Sequence, residues 1–160
     1  VYKYIEQRDT QLMTKNVYRD YTDDCLVEEV RSKPERLFER FCESNEKVSW
    51  YYKNGDTGQQ YFSITYLDGN QTQHLFYADY IVGLTNGDIW IIETKGGEGR
   101  NGVNKNIDIQ VKNKFAAFKQ YAEKHNIKWG FVRDKNEKLY INNTEYVDDM
   151  SDSSWQSLCF

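Results

Sequence analysis

The stretch Tyr77-Ala78-Asp79-Tyr80-Ile81-Val82-Gly83-Leu84-Thr85-Asn86-Gly87-Asp88-Ile89-Trp90-Ile91-Ile92-Glu93-Thr94-Lys95 decides the fold. Its flanks, residues 76–84 and 88–95, are rich in Ile, Val, Tyr and Trp, which favour strands. Asn86-Gly87 between them is the strongest short-range hairpin signal. Side chains alternate faces along a strand, so Glu93 and Lys95 point the same way and Thr94 the other, leaving the Thr94 backbone carbonyl to face the site.

Register decides whether Asp79 joins them. A two-residue loop pairs Thr85 with Asp88 and sets Asp79 opposite Thr94, on the wrong face. A three-residue loop, with Gly87 in the left-handed region as a bulge, pairs Leu84 with Asp88 and sets Asp79 opposite Glu93. The second register is predicted, because a one-residue slip separates the two acids.

Two carboxylates on neighbouring strands suit a hard divalent cation. Magnesium binds through one or two carboxylates, keeps several waters and accepts substrate phosphate. It acidifies a bound water and stabilises charge on phosphorus oxygens. A nearby lysine orients that water or stabilises the transition state. An acid and a lysine two apart on a strand also describe an ordinary solvated face. The context favours the site: Glu93 closes the apolar run 89–92, where an unpaired carboxylate is costly, and Gly96-Gly97 lets backbone approach closely.

Asp79, thirteen residues, then Glu93-Thr94-Lys95 resembles the PD-(D/E)XK nuclease motif, with Ala78 where the family usually carries Pro. The segments 31–39, 50–55, 61–64, 89–97 and 129–132 look like the C-terminal nuclease domain of the restriction subunit of type III restriction-modification enzymes. The likeness covers nearly the whole chain, most specifically 31–149. It implies a type III site-specific endonuclease cutting double-stranded DNA with Mg2+ (or Mn2+), working with a modification (methyltransferase) subunit. ATP would be used only by an upstream helicase motor outside this chain. Asp79 and Glu93 would be catalytic metal ligands, joined by the Thr94 carbonyl, with Lys95 as the catalytic lysine. By the same resemblance Glu35, on the first helix, supports the metal or its water. Glu39, one turn later, is the competing choice, and both are alternatively surface acids of an amphipathic helix.

Composition agrees with one intracellular domain. At 160 residues a single core is possible, and 39% hydrophobic with 16% aromatic content excludes a disordered chain. No apolar stretch is long enough to span a bilayer and no signal peptide is present, so no membrane partner and a cytoplasmic location are expected. The chain begins at Val1 and is expected to be a piece of a longer polypeptide, with 1–30 an arm or linker to the helicase part and 31–160 the endonuclease domain. Cys25, Cys42 and Cys159 form no C-x-x-C pair and read as reduced thiols. His125 is expected at a helix end, and His74 in no catalytic role.

The remaining elements follow from local signals. Ser32-Lys33-Pro34-Glu35 starts a helix whose apolar stripe is Leu37, Phe38, Phe41 and Cys42. Strands are predicted over 48–53 and 61–66, with turns at 54–56 and 68–70. Residues 96–106 form a polar loop, and 107–125 a long helix with Val111, Phe115, Phe118 and Ala122 on its core face. Strands 128–133 and 139–142 are joined at Asn136. This order of elements fits an α/β fold, a central mixed sheet flanked by helices.

Charge is uneven. Residues 95–138 carry eleven Lys and Arg against five Asp and Glu, while the chain as a whole is −4. The basic segment, with Lys95, Arg100, Lys105 and Lys114, is where a phosphate backbone is expected to lie, with ordinary solvation of a helix and loops as the equal alternative. Gln110 and Lys114 share a helix face at i and i+4, where related nucleases face the phosphate; a solvated face is the alternative. The acidic remainder implies weak DNA binding by this domain alone. Two other readings stay open: a non-cleaving nucleic-acid or partner-binding module on the same scaffold, and a stand-alone repair or recombination nuclease.

Overall fold

The structure is a computed structural model that describes residues 12–18, 32–54, 62–68, 70–96 and 111–160. Ten elements follow in order: α1 (Lys33–Ser44), β1 (Val48–Lys53), β2 (Ile64–Leu67), β3 (Gln73–Phe76), β4 (Tyr80–Leu84), β5 (Ile89–Lys95), α2 (Val111–His125), β6 (Lys128–Lys135), β7 (Lys138–Asn142) and β8 (Gln156–Ser157). The fold is mixed α/β. Six strands form one sheet in the order β1-β4-β5-β6-β7-β8, and β2 and β3 form a separate two-stranded sheet.

The deciding hairpin has the expected register. Gly83 pairs with Ile89 and Tyr80 with Ile92, so the next positions along the ladder are Asp79 and Glu93. The turn closes through Leu84 N–H to the Asp88 carbonyl (2.9 Å) and Gly87 N–H to the Leu84 carbonyl (3.0 Å). Gly87 takes φ of 90°, where a side chain would be strained. The β5–α2–β6 connection makes a parallel pair in an otherwise antiparallel order of the named strands, Trp90 with Lys128 through Lys95 with Arg133. That crossover puts α2 on one face and leaves α1 the other.

The two sheet faces carry two cores. Alternation along β5 sends Ile91 to a cluster with Val111, Phe115, Phe118 and Ala122 of α2, and Ile92 to a cluster with Phe38 and Cys42 of α1. The predicted core face of α2 is thus the buried one. In α1 the buried set is Pro34, Phe38, Glu39 and Cys42, with Leu37 and Phe41 only half-buried. Glu39 is therefore no surface acid: it is fully buried.

Other boundaries shift for local reasons. Sequence alternation alone did not separate β3 from the Asp79 strand; in the structure β3 folds back on β2, Ile64 with Phe76 through Leu67 with Gln73. The segment 12–18, expected as part of an arm, lies along the edge of β1, with Val17 N–H bonded to the Tyr51 carbonyl and Tyr51 N–H to the Lys15 carbonyl. The hairpin at Asn136 has positive φ at both Asn136 and Glu137, the conformation a tight two-residue turn requires. The thiols of Cys42, buried, and Cys159, exposed, are free, and Cys25 lies outside the described residues. His125 ends α2 as expected; His74 bonds Asp68 Oδ2 at 2.8 Å. No helix among the described residues is long and apolar enough to cross a membrane.

Candidate active site

The site forms where β4 begins, β5 ends and the first turn of α1 arrives. Asp79 immediately precedes β4. Its backbone is fixed by the neighbouring strand: Asn54 N–H donates to the Asp79 carbonyl (2.7 Å), and the Asn54 side-chain amide donates to the carbonyls of Ala78 (2.9 Å) and Phe62 (2.7 Å). These bonds hold the chain at Ala78, the position where the resemblance leads one to expect a stiffening proline.

The Asp79 carboxylate is shared between two strands. Its Oδ2 accepts from the Thr94 amide (2.8 Å) and the Thr94 hydroxyl (2.7 Å). Its Oδ1 lies 3.2 Å from the Lys53 ammonium. The Thr94 side chain, expected on the face opposite Glu93 and Lys95, instead reaches Asp79, and its amide and hydroxyl fix the first acid.

Glu93 is buried, 5% exposed, inside the last turn of the β5 ladder. Its Oε1 lies 3.2 Å from Lys95 Nζ, while its Oε2 is buried without a hydrogen-bond partner. Burial pushes its carboxyl up to about 8, and the charge of Asp79 pushes the same way against the opposing pull of Lys95 and Lys53. A neutral carboxyl near pH 7 is the form such a pocket favours when no further cation shares it.

Glu35 reaches the same place from α1. Its Oε2 accepts from the Ser32 N–H (2.9 Å), one half of a capping box, and its Oε1 pairs with Lys53 Nζ at 2.9 Å. Burial alone raises a carboxyl; here Lys53 and the Ser32 bonds outweigh it, and the Glu35 carboxyl lies below its ordinary value. Lys53 in turn is only 15% exposed, and its ammonium is held charged against burial by Asp79 and Glu35.

The expected residues Asp79, Glu93, Lys95 and Glu35 are thus brought together, and Lys53 is the member that sequence reasoning missed. It stands 26 residues from Asp79 in the chain, at the end of a strand with no motif around it. Arg133 was missed as well. It is fully buried; its Nε bonds the Gly96 carbonyl (3.0 Å), one NH2 group bonds the Asp148 carbonyl (2.8 Å), and its guanidinium stacks on Trp155. It braces the backbone directly after Lys95, and it is no part of a DNA-facing surface.

The rest of the basic segment divides. Arg100, Lys105 and Gln110 lie outside the described residues. Lys114 projects from α2 with its ammonium 6.0 Å from the Phe76 ring centre, and Lys128 pairs with Asp88 at 2.8 Å at the opposite end of β5.

Among the described residues no three His, Cys, Asp or Glu side chains group tightly enough to cage a metal. Asp79 and Glu93 bring together two hard oxygen donors, and one Glu93 oxygen is buried with no hydrogen-bond partner; one or two carboxylates are the protein donors used by ions that keep most of their waters. Comparisons with protein-family models, with curated proteins and with solved structures find no match for this chain.

Proposed function

We propose that this chain is a metal-dependent endonuclease domain that hydrolyses phosphodiester bonds of double-stranded DNA on a PD-(D/E)XK-type core. The observation that carries the reading is Glu93: a buried carboxyl group beside Lys95 on one oxygen, unsatisfied on the other, and adjacent to the fixed carboxylate of Asp79.

In this reading Asp79 and Glu93 would hold Mg2+ or Mn2+, with the Thr94 carbonyl as a further ligand and Glu35 in support. Such an ion would supply an acidified water and charge stabilisation at phosphorus. Lys95, 3.2 Å from Glu93, would orient the attacking water or meet the charge of the transition state. Thr94 keeps Asp79 pointed, and Arg133 keeps the strand end in place. The excess of basic residues over 95–138, with Arg100, Lys105, Gln110 and Lys114 as candidate contacts, supports DNA as the partner. The remaining part of the proposal rests on sequence resemblance: a type III restriction subunit, its upstream helicase and a modification subunit, at work in the cytoplasm.

One observation favours a second reading, a non-cleaving binding module. The Lys53 ammonium already pairs with both Asp79 and Glu35.

Plasmid cleavage with Mg2+ or Mn2+ separates the two, using wild type beside Asp79→Ala and Lys95→Ala. Metal-dependent nicking lost in both variants is expected. No cleavage, together with no metal uptake that depends on Asp79 and Glu93, sinks the nuclease and leaves the binding module.

A further inference from the structure

We propose that Lys53 is an internal cation that occupies the metal-free site, and that a divalent ion binds Asp79 only by displacing its ammonium. The inference rests on the metal-site reading above and adds a competitor to it.

The geometry is specific. Lys53 Nζ sits 2.9 Å from Glu35 Oε1 and 3.2 Å from Asp79 Oδ1, so one ammonium joins the acid of α1 to the acid of β4. The other Asp79 oxygen is saturated by Thr94. Oδ1 is thus the Asp79 oxygen left for a metal, and Lys53 is on it. Glu93 Oε2 is the buried oxygen with no hydrogen-bond partner, and Lys53 does not satisfy it.

Lys53 is also held where it is. The ladder pairs it with Tyr80, and its ammonium lies 4.9 Å from the Tyr80 ring centre. A buried ammonium between two carboxylates keeps like charges together that would otherwise repel. A divalent ion and an ammonium at one oxygen repel in turn, so each weakens the other. An ammonium on a four-carbon stem can swing away without disturbing the strand, and a DNA phosphate is the anion that would receive it. The site would then bind metal weakly when empty of DNA.

The test is Mn2+ binding by calorimetry, with thermal melts in EDTA and in Mn2+, on wild type, Lys53→Met, Asp79→Asn and Glu93→Gln. The expected result is Mn2+ affinity at least tenfold tighter in Lys53→Met than in wild type. Mn2+ should also raise its melting temperature more, and uptake should be lost in Asp79→Asn and Glu93→Gln. A residue with only a structural role loosens the site when removed, so equal or weaker affinity in Lys53→Met overturns the proposal. If Lys53→Met does not fold, Glu35→Gln/Lys53→Met is compared with Glu35→Gln alone; the same tightening is expected, and its absence overturns the proposal. Uptake that needs Asp79 and Glu93 but ignores Lys53 removes the competitor and keeps the metal site. No uptake in any protein removes both.

Discussion

Thr94 gives both its amide and its hydroxyl to one oxygen of Asp79, at 2.8 and 2.7 Å. The two residues are on adjacent antiparallel strands, so the first acid of the site is oriented by the residue lying between the second acid and the lysine. Bonds to a charged acceptor are the stronger kind. Thr94→Val keeps the amide and removes the hydroxyl. It is expected to cost about 1–3 kcal/mol of stability and, on the proposed nuclease reading, to lower metal-dependent cleavage roughly tenfold, with Thr94→Ser restoring most of both. Urea unfolding and plasmid nicking check this; equal activity in Thr94→Val would falsify the orienting role.

Glu93 is expected to make the protein's stability in EDTA sensitive to alkali. Its folded-state value, about 8, lies above the ordinary 4.5, so the folded state holds a proton that the unfolded state gives up. Stability contributed by the neutral form is full below about 4.5 and is lost as pH rises through about 8. Melting temperature in EDTA is therefore expected to fall from pH 6 to pH 9 (roughly the window of that titration). Glu93→Gln, which cannot ionise, should flatten the fall and melt higher than wild type at the alkaline end. A wild-type profile that rises over that range contradicts the assignment.

Arg133 is the buried brace behind Lys95. Arg133→Met keeps the bulk and removes the donors to the Gly96 and Asp148 carbonyls, leaving two carbonyls with a lost partner. A loss of about 2–4 kcal/mol is expected. The check is a lower urea midpoint at unchanged slope. A change within about 0.5 kcal/mol, the range of an ordinary surface substitution, rules the brace out.

Gly83 is required by packing. A Cβ there would stand 2.2 Å from the Trp50 indole, which crosses β4 where β1 is bulged between Val48 and Trp50. Gly83→Ala is expected to cost about 1–3 kcal/mol. The cost should shrink in a Trp50→Val background, since the clash partner is gone. A double-mutant cycle with no coupling between the two positions sinks this explanation.

The hairpin was legible because its signals are local. Asn86-Gly87 marks the turn, but it leaves two registers open; the choice of the three-residue loop came from keeping Asp79 and Glu93 on one face, and the ladder has that register. The core face of α2 was legible for the same reason: Val111, Phe115, Phe118 and Ala122 repeat at helical spacing. β3 was not, because its pairing with β2 leaves the main sheet and no local residue marks that departure. The surface-acid alternative for Glu39 fails because its place on the helix, not its charge, sets its burial. Glu39 follows Phe38 and lies three residues before Cys42, and the helix turns it inward with them.

The sequence by itself determined the strand pair that carries Asp79, Glu93 and Lys95, and the two helices that cover the sheet. Both follow from periodicity and turn chemistry, which act over a few residues. Only the tertiary structure decided what surrounds those groups. Lys53 reaches Asp79 from 26 positions away, and Arg133 reaches Gly96 from 37. Burial of Glu93 depends on the packing of whole elements around it. Charge and solvation at the site are set by such long-range contacts, and no short stretch of the chain contains them.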